Sequence, residues 1–201
     1  PINRITRYDI DSFLLEQSKT KSVATVNRYL PQIKAIMSFA VERGILKSSL
    51  AAGIPAKHEA VLPPKGLPDE VVNKVVHRLM KDIDDEKARL LLFLFATGCR
   101  LGEARALQLQ DCNLNRKIAY LPTSKSGRER LIPLNHFALE LIQLQFQRHG
   151  TTGLLFRGQD GVSQISEPRR YWYRVCHDCG LSGVRIYDAR HTVEIGRASC
   201  R

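Results

Sequence analysis

The chain has 201 residues, which is enough for one large domain or two small ones. Hydrophobic residues make up 43% of the sequence, a share that excludes an intrinsically disordered chain and predicts a substantial core. Apolar runs are too short to span a bilayer, so we expect no membrane partner. The formal net charge of +11 favours a polyanionic partner, usually a nucleic acid, although a basic protein without such a partner stays an alternative.

The cysteines and the chain start bear on the cellular setting. The five cysteines are widely spaced, which favours reduced thiols and a cytoplasmic location. Cys176 and Cys179 are close enough to suggest a metal site, but a structural zinc ion needs four ligands. We therefore expect the two to pack as small hydrophobic residues, and we expect no metal.

The start, Pro1-Ile2-Asn3-Arg4, indicates an internal cut in a longer protein.

The first part of the chain predicts two helices. One covers Asp9–Gln17, with Asp9 or Asp11 as its cap. Ser22 caps a longer second helix, in which apolar residues recur at three- and four-residue spacing until Gly44. Pro31 lies inside this pattern and predicts a kink or a split.

A stretch rich in Ala, Pro and Gly follows, from Ala51 to Pro64, and it lacks strong periodicity. It predicts a linker over residues 56–66. The linker divides a small helical domain, residues 1–55, from a larger domain over residues 67–193.

The larger domain is predicted to be mainly helical and to hold one β-hairpin with its turn at 124–127. The apolar helix Glu86–Thr97 is expected at its centre. The other predicted helices are Pro68–Lys81, Arg100–Leu107, Asn135–His149, Glu167–Cys179 and one that begins near Asp188. The predicted strands are Lys117–Leu121, Arg128–Leu134 and a short Leu154–Phe156.

Three basic motifs follow one another in this domain. In the first, 97–103, a glycine turn ends an apolar helix, and Arg100 opens the next helix, where Glu103 could orient its guanidinium. The second is a basic hairpin tip, 123–130, in which Lys125 could reach a phosphate or donate a proton. The third, 186–192, is expected to place Arg190 and His191 on the first turn of a helix, a place suited to an anion. For each motif alone, an ordinary solvated surface is the favoured alternative.

Taken together and in this order, the motifs resemble those of the tyrosine recombinases, the phage integrase or Xer-like family. Its first box is similar to Thr97-Gly98-x-Arg100-x-x-Glu103, with Leu107 and Asp111 beyond. Its hairpin is similar to Lys125, Arg130, Pro133 and Leu134, and its second box to Arg190-His191-Thr192. The resemblance implies a mainly α fold, with a small helical core-binding (SAM-like) domain and a mixed α/β catalytic domain.

The resemblance also implies a chemistry. A tyrosine hydroxyl attacks a DNA phosphodiester and forms a 3′-phosphotyrosyl link, which a 5′-hydroxyl later reverses. Arg100 and Arg190 would stabilise the charge on the phosphate oxygens, and Lys125 would protonate the leaving oxygen. Because the covalent link conserves energy, we expect no cofactor. The implied partner is double-stranded DNA, bound by a homotetramer of the full-length protein.

The sequence departs from the family pattern at two places. Tyr187 stands where the family has the first histidine of its second box, and a phenol is a poorer base than imidazole at neutral pH. The family's nucleophilic tyrosine lies well beyond the second arginine, and no tyrosine follows Arg190 here. Residues 194–201 do not resemble the family's apolar continuation, so we interpret them as a non-native tail on a C-terminally truncated fragment.

Further DNA contacts are expected outside these catalytic positions. On the second helix, Thr25, Arg28 and Gln32 share one side and could enter a groove, while Lys34 meets phosphates. The alternative is a solvated polar face. Ser124 and Arg128 at the hairpin tip are further candidates for DNA-binding residues. The aromatic residues 171–173 could stack on bases, although core packing is favoured for Trp172.

The sequence therefore predicts an enzyme of site-specific DNA recombination, represented by a fragment that lacks its nucleophile. Two other classes stay open. One is a non-catalytic DNA-binding regulator or accessory protein, in which the basic motifs need not converge. The other is an RNA-binding or basic scaffold protein, which would not prefer duplex DNA.

Overall fold

A computed structural model describes residues 1–60, 66–121 and 129–199, with backbone alone for 194–199. The chain divides into two compact units, Pro1–Pro63 and Pro64–Arg201, and the division falls within the segment 56–66. Within the described ranges, we find no helix with both the length and the apolar character needed to cross a membrane.

Helices form most of the described structure. The first unit contains a short 3-10 turn, Ile2–Arg4, and two α-helices, α1 (Arg7–Thr20) and α2 (Val23–Glu42). The second unit has helices α3 (Asp69–Met80), α4 (Glu86–Thr97), α5 (Leu101–Ala106), α6 (His136–His149), α7 (Arg169–Asp178) and α8 (Ile186–Ser199). A 3-10 turn, Leu109–Asp111, leads into strand β1 (Cys112–Asn113), and strands β2 (Ile118–Leu121) and β3 (Arg130–Pro133) follow.

Helix α1 begins two residues earlier than predicted because Thr6, and not an aspartate, is its cap. The Thr6 hydroxyl accepts a hydrogen bond from the backbone N–H of Asp9, and the Asp9 carboxylate accepts one from the backbone N–H of Thr6 at 2.7 Å. This reciprocal pair satisfies two N–H groups that the first turn leaves without helical partners. Asp11 instead pairs with Arg7, one turn back along the helix.

Helix α2 begins after Ser22 as predicted, but it is not split at Pro31. Proline removes one helical donor, whereas the helix on both sides of it buries apolar residues, among them Leu30 and Met37. Ala51 and Ile54 are buried in the same cluster, so the Ala/Pro/Gly-rich stretch contributes to the first unit's core before it leaves that unit. The apolar core of the first unit consists of Ile10, Leu14, Val26, Leu30, Met37, Ala51 and Ile54.

Helix α4 is the centre of the second unit, as its apolar sequence predicts. All but three of its twelve residues are buried, and it packs against α3, α5, α6 and α8. Its N-terminus is capped by Asp85, and it ends at Gly98, whose φ of 66° lies in the left-handed region. Gly98 therefore turns the chain sharply from α4 into α5.

The sheet is antiparallel, in the order β1-β2-β3. The predicted hairpin is present as the β2–β3 pair, with Leu121 opposite Arg130 and Ile118 opposite Pro133. The sequence missed β1, because two residues are too short to show alternation. The predicted strand Leu154–Phe156 is wrong: within it, only Leu154 forms an isolated bridge, with Gln108. The predicted hairpin turn lies outside the described residues.

The last helices start within two residues of the predicted positions. Asn135 caps α6, and its side chain accepts a hydrogen bond from the backbone N–H of Ala138 at 2.8 Å. Trp172 on α7 is buried as predicted, and its indole N–H donates to the carbonyl of Val184. Cys176 and Cys179 also pack in the core. The second unit is thus mainly helical with one small sheet, which confirms the predicted fold class.

Candidate functional site

The first motif forms a tight turn between α4 and α5. Arg100 is the N-terminal cap residue of α5 and follows the left-handed Gly98 by two positions. Its side chain is 40% exposed, so the guanidinium is accessible from solvent while its backbone is fixed in the turn. The sequence therefore predicted the position of Arg100 correctly, at the start of a new helix.

Glu103 fixes the direction of Arg100. One carboxylate oxygen, Oε1, accepts a hydrogen bond from Arg100 Nη1 at 2.7 Å, and the other, Oε2, accepts one from the Arg100 backbone N–H at 2.8 Å. The Glu103 side chain is only 7% exposed. The orienting bond predicted from the sequence is present, and its carboxylate is buried, which distinguishes it from an exposed surface pair.

A second arginine reaches the same carboxylate from the sheet. Arg130 Nη2 donates to Glu103 Oε2 at 2.8 Å. Burial of the Glu103 carboxyl by itself raises its pKa, but the hydrogen bonds from Arg100 and the charges of both arginines outweigh burial, and the pKa is lowered. Glu103 is therefore held as a carboxylate.

Sequence reasoning missed this contact, although strand alternation contained a signal for it. Arg130 lies two residues before Ile132, which is buried, while Leu131 between them is exposed. A charged residue on the inward face of a strand requires a partner, because an unpaired buried charge is costly. The identity of that partner depends on how the sheet packs against α5, which the sequence does not show.

Cys99 is buried beside this group. The pKa of its thiol is raised to about 11, mainly by burial and also by the charge of Glu103, while a hydrogen bond from Thr97 and the charges of Arg130 and Arg190 act in the opposite direction. The thiol is therefore protonated at neutral pH and is a poor nucleophile.

The third motif is on α8. The helix begins at Ile186, two residues earlier than predicted, so Arg190 and His191 lie on its second turn and not on its first. Asp188 supports the helix start, because its carboxylate accepts a hydrogen bond from the backbone N–H of Arg185 at 2.8 Å. The ring of Tyr187 meets the ring of His191 edge to face, with 4.7 Å between their centroids.

Helix α8 packs directly on the turn that precedes Arg100. A Cβ atom added at Gly98 would lie 3.0 Å from Val193 Cβ and 3.8 Å from the backbone oxygen of Arg190. A side chain at residue 98 would therefore press against Val193, in addition to adopting a left-handed φ. The segments that carry Arg100 and Arg190 are thus in contact, although 90 positions separate the two residues.

A cavity of about 450 Å³ opens along this contact. Cys99 and Leu101, which flank Arg100 in the chain, line it together with Arg190 and Tyr187. Three of its lining residues are arginines, and its carboxylate is that of Glu167. The lining residues are Leu94, Cys99, Leu101, Glu167, Arg169, Trp172, Tyr173, Val184, Arg185, Ile186, Tyr187 and Arg190. A cavity with this excess of guanidinium groups suits an anionic ligand.

The remaining predicted site residues belong to the hairpin tip and to the first unit. Lys125, Ser124 and Arg128 lie outside the described residues. In the first unit, Arg28 and Gln32 are exposed, whereas Lys34 is half-buried. Thr25 is also half-buried, and its hydroxyl lies 3.0 Å from the Ser22 hydroxyl, so it takes part in the helix start. Among the residues that the structure describes, no group of three or more His, Cys, Asp or Glu could hold a metal ion.

Residues 68–194 match the model of the phage integrase family. A putative integrase/recombinase of Haemophilus influenzae is 29% identical over 167 residues, which are 77% of this chain and 53% of that protein. The tyrosine recombinase XerD of Bifidobacterium longum is 31% identical over 146 residues, 69% of this chain and 46% of the relative. The chain therefore spans about half the length of the curated relatives that it matches.

Solved structures with the same fold include two integrases. The Tn1549 transposon integrase in complex with transposon right end DNA has a TM-score of 0.80 at 17% identity, over 100% of this chain and 75% of that one. A lambda integrase tetramer bound to a Holliday junction has a TM-score of 0.75 at 18% identity, over 94% of this chain and 59% of that one. At these identities, the comparisons establish the fold of the chain.

Proposed function

Since the chain belongs to the phage integrase family, we propose that its function is site-specific DNA recombination by strand cleavage and rejoining through a 3′-phosphotyrosyl intermediate. The observation that carries this proposal is the packing of α8 on the turn of Arg100. It brings together two segments that each supply an arginine, beside a cavity with an excess of guanidinium groups.

The proposed partner is double-stranded DNA. The net charge of +11 supports a polyanionic ligand, and the similar integrase structures are complexes with DNA. The lambda integrase tetramer on a Holliday junction supports a further proposal, that the full-length protein works as a homotetramer. Two duplexes must be cut and exchanged in recombination, so four active subunits would serve four strands.

In the proposed reaction, a tyrosine oxygen forms a bond to phosphorus while the bond from phosphorus to the 5′-oxygen breaks. Negative charge builds up on the non-bridging oxygens, and Arg100 and Arg190 stabilise it, since guanidinium groups donate hydrogen bonds in a fixed plane. The leaving 5′-oxygen needs a proton, and we assign that role to Lys125. The energy of the broken bond is kept in the phosphotyrosyl link, so rejoining needs no nucleotide.

Tyr187 takes the position of the family's histidine in this proposal. It is 50% exposed and lines the same cavity as Arg190, which supports a place close to the phosphate. Its hydroxyl can donate a hydrogen bond to a phosphate oxygen. We therefore assign it a phosphate-binding role and not that of the nucleophile, because the family resemblance has the nucleophile after the second arginine.

The first unit supplies further candidates for DNA contacts. Arg28 and Gln32 are exposed on α2 and are available for base or phosphate contacts. Lys34 and Thr25 are half-buried, so their contribution is limited to the atoms that remain accessible. Ser124 and Arg128 are proposed as phosphate contacts on sequence grounds alone.

Two measurements on the 201-residue chain test the proposal. We expect it to bind duplex DNA with an affinity that falls steeply with salt, and in preference to RNA at equal salt. We also expect no SDS-resistant adduct with a nicked suicide substrate, because no tyrosine follows Arg190. Failure to bind duplex DNA would refute the proposed function, and a covalent adduct would refute the claim about the nucleophile.

A chimera tests the strand-transfer chemistry itself. Residues 194–201 are replaced by the C-terminal segment of a curated relative, such as the Haemophilus influenzae recombinase, to supply the tyrosine. We expect this chimera to form an adduct with a suicide substrate that carries the relative's target site, and we expect Arg100→Ala and Arg190→Ala to abolish it. Adduct formation that survives both substitutions would contradict the assigned roles. Adduct formation that depends on Arg100 and Arg190 would also distinguish an enzyme from a non-catalytic DNA-binding regulator.

A further inference from the structure

Three charged side chains meet where α5 faces β3. The carboxylate of Glu103 lies between two guanidinium groups, with Arg100 Nη1 at 2.7 Å and Arg130 Nη2 at 2.8 Å. The side chain of Glu103 is 7% exposed, whereas those of Arg100 and Arg130 are 40% and 35% exposed. The negative charge is therefore inside the protein, and both positive charges reach towards solvent.

Arg130 changes the net charge that the pair of Arg100 and Glu103 would have alone. A carboxylate that is close enough to orient Arg100 also offsets its charge, and the pair would present no net charge to a phosphate. With Arg130 as a second counter-ion, the group has two positive charges and one negative charge. Among these three side chains, positive charge exceeds negative charge by one.

Arg130 also connects the sheet to the turn of Arg100. It is the first residue of β3 and lies opposite Leu121, the last residue of β2. The segment between those two residues contains Lys125. The hydrogen bond from Arg130 to Glu103 thus joins the base of the hairpin to the residue that holds Arg100.

We infer that Arg130 is a positioning residue of the strand-transfer site: it acts through Glu103, which it holds in place and whose charge it offsets, so that Arg100 is fixed in direction and its charge stays available to a DNA phosphate. This inference rests on the proposed function and adds to it a residue that does not itself contact the phosphate. Any effect of Arg130 on the affinity for DNA must therefore depend on Glu103.

A double-mutant cycle measures that dependence. The affinity of the 201-residue chain for a fluorescently labelled duplex is measured, at one salt concentration, for wild type, Arg130→Ala, Glu103→Gln and the double variant. With Glu103 present, Arg130→Ala should weaken binding roughly fivefold. In the Glu103→Gln background, the loss should fall to that of the matched control Arg116→Ala, which removes an exposed arginine from the β1–β2 connection.

The outcome distinguishes this inference from a direct phosphate contact. If Arg130 binds DNA itself, its removal weakens binding equally in both backgrounds, and that result would overturn the inference. Arg130→Lys keeps the charge and one donor, so it should restore most of the lost affinity. Arg130→Gln serves as a second neutral variant, and circular dichroism verifies that each protein is folded.

A measurement without DNA tests the contact on its own. The titration of the Glu103 carboxyl carbon is followed by NMR and assigned with Glu103→Gln. Arg130→Ala should raise the pKa of Glu103 and Arg116→Ala should leave it unchanged, because Arg130 is one of the two arginines bound to the carboxylate, whereas Arg116 is an exposed residue of the β1–β2 connection. An unchanged pKa in Arg130→Ala would overturn the inference. A wild-type chain that binds no duplex DNA would instead refute the proposed function, whatever the titration shows.

Discussion

Glu103 binds Arg100 twice, through the guanidinium at 2.7 Å and through the backbone N–H at 2.8 Å. The two contacts fix both ends of the arginine, because one holds the side-chain tip and the other holds the start of α5. A single buried carboxylate thus couples the shape of the turn to the direction of a proposed catalytic group. Substitution of this carboxylate should therefore affect both stability and function.

The first prediction concerns the pH dependence of stability. The pKa of Glu103 is lowered in the folded protein below its ordinary value of 4.5, so the ionised form stabilises the fold above that value. This contribution is lost as pH falls through the lowered pKa. Glu103→Gln should reduce the free energy of unfolding by about 2 kcal/mol at neutral pH and by progressively less in acid. Urea denaturation across the acid range measures the difference.

The control for this prediction is Glu70→Gln, which changes an exposed carboxylate at the start of α3. Its stability profile should run parallel to that of wild type. Parallel profiles for Glu103→Gln and wild type would show that the buried carboxylate does not contribute as its surroundings indicate.

The second prediction concerns the salt dependence of DNA binding. If Arg100 and Arg190 each meet a phosphate, then Arg100→Ala and Arg190→Ala should each weaken binding and lower the slope of log K against log salt by about 1. Fluorescence anisotropy over a range of salt concentrations gives the slope. Arg116→Ala should leave the slope near that of wild type, and slopes that do not differ among these proteins would argue against direct phosphate contacts.

The third prediction concerns Gly98. Gly98→Ala places a methyl group 3.0 Å from Val193 Cβ at a φ of 66°, so it should destabilise the fold by about 3 kcal/mol. Gly180→Ala is the matched control, because its φ is 64° with no atom within 4 Å of the added carbon, and it should cost only about 1 kcal/mol.

Thermal and urea unfolding measure the loss of stability in Gly98→Ala and in Gly180→Ala. The double variant Gly98→Ala/Val193→Ala should recover part of the stability that Gly98→Ala loses, because it removes Val193 Cγ1, one of the two Val193 atoms that lie 3.0 Å from the added carbon. Equal losses for Gly98→Ala and Gly180→Ala would mean that α8 does not pack on this turn as described.

The fourth prediction separates two roles of Asn135. Its carbonyl oxygen accepts from Ala138 N–H at 2.8 Å, and its amide donates to the Ala96 carbonyl at 3.0 Å. Asn135→Ala removes both bonds and should cost about 2 kcal/mol of unfolding free energy. Asn135→Asp keeps the cap but loses the donor, so it should cost less than alanine. An aspartate variant as stable as wild type would show that the bond to Ala96 contributes nothing.

The sequence predicted the elements whose ends depend on local chemistry. Ser22 and Asn135 are caps that act within three residues, and Gly98 ends α4 by its own backbone conformation, so these ends were predicted correctly. The start of α1 was wrong because Asp9 served equally well as a cap or as the third residue of a capping box. Of the two outcomes predicted at Pro31, a kink or a split, the split is absent, because burial on both sides of the proline outweighs one lost hydrogen bond.

The candidate site was predictable only in part. The motif order indicated Arg100, Glu103 and Arg190, because each lies in a recognisable local pattern. The bond from Arg130 to Glu103 was not predictable, since it depends on the packing of β3 against α5. The same holds for the contact of Gly98 with Val193, which involves residues far apart in the chain.

The central position of α4 has a consequence for how the second unit forms. Its apolar surface is covered by α3, which precedes it directly, and by α8, which is the last described helix of the chain. During synthesis α4 leaves the ribosome before α8. The part of its apolar surface that α8 covers therefore stays exposed until α8 has been made. Helix α8 also carries Arg190, so the packing that covers α4 is the packing that brings the segment of Arg190 to the turn of Arg100.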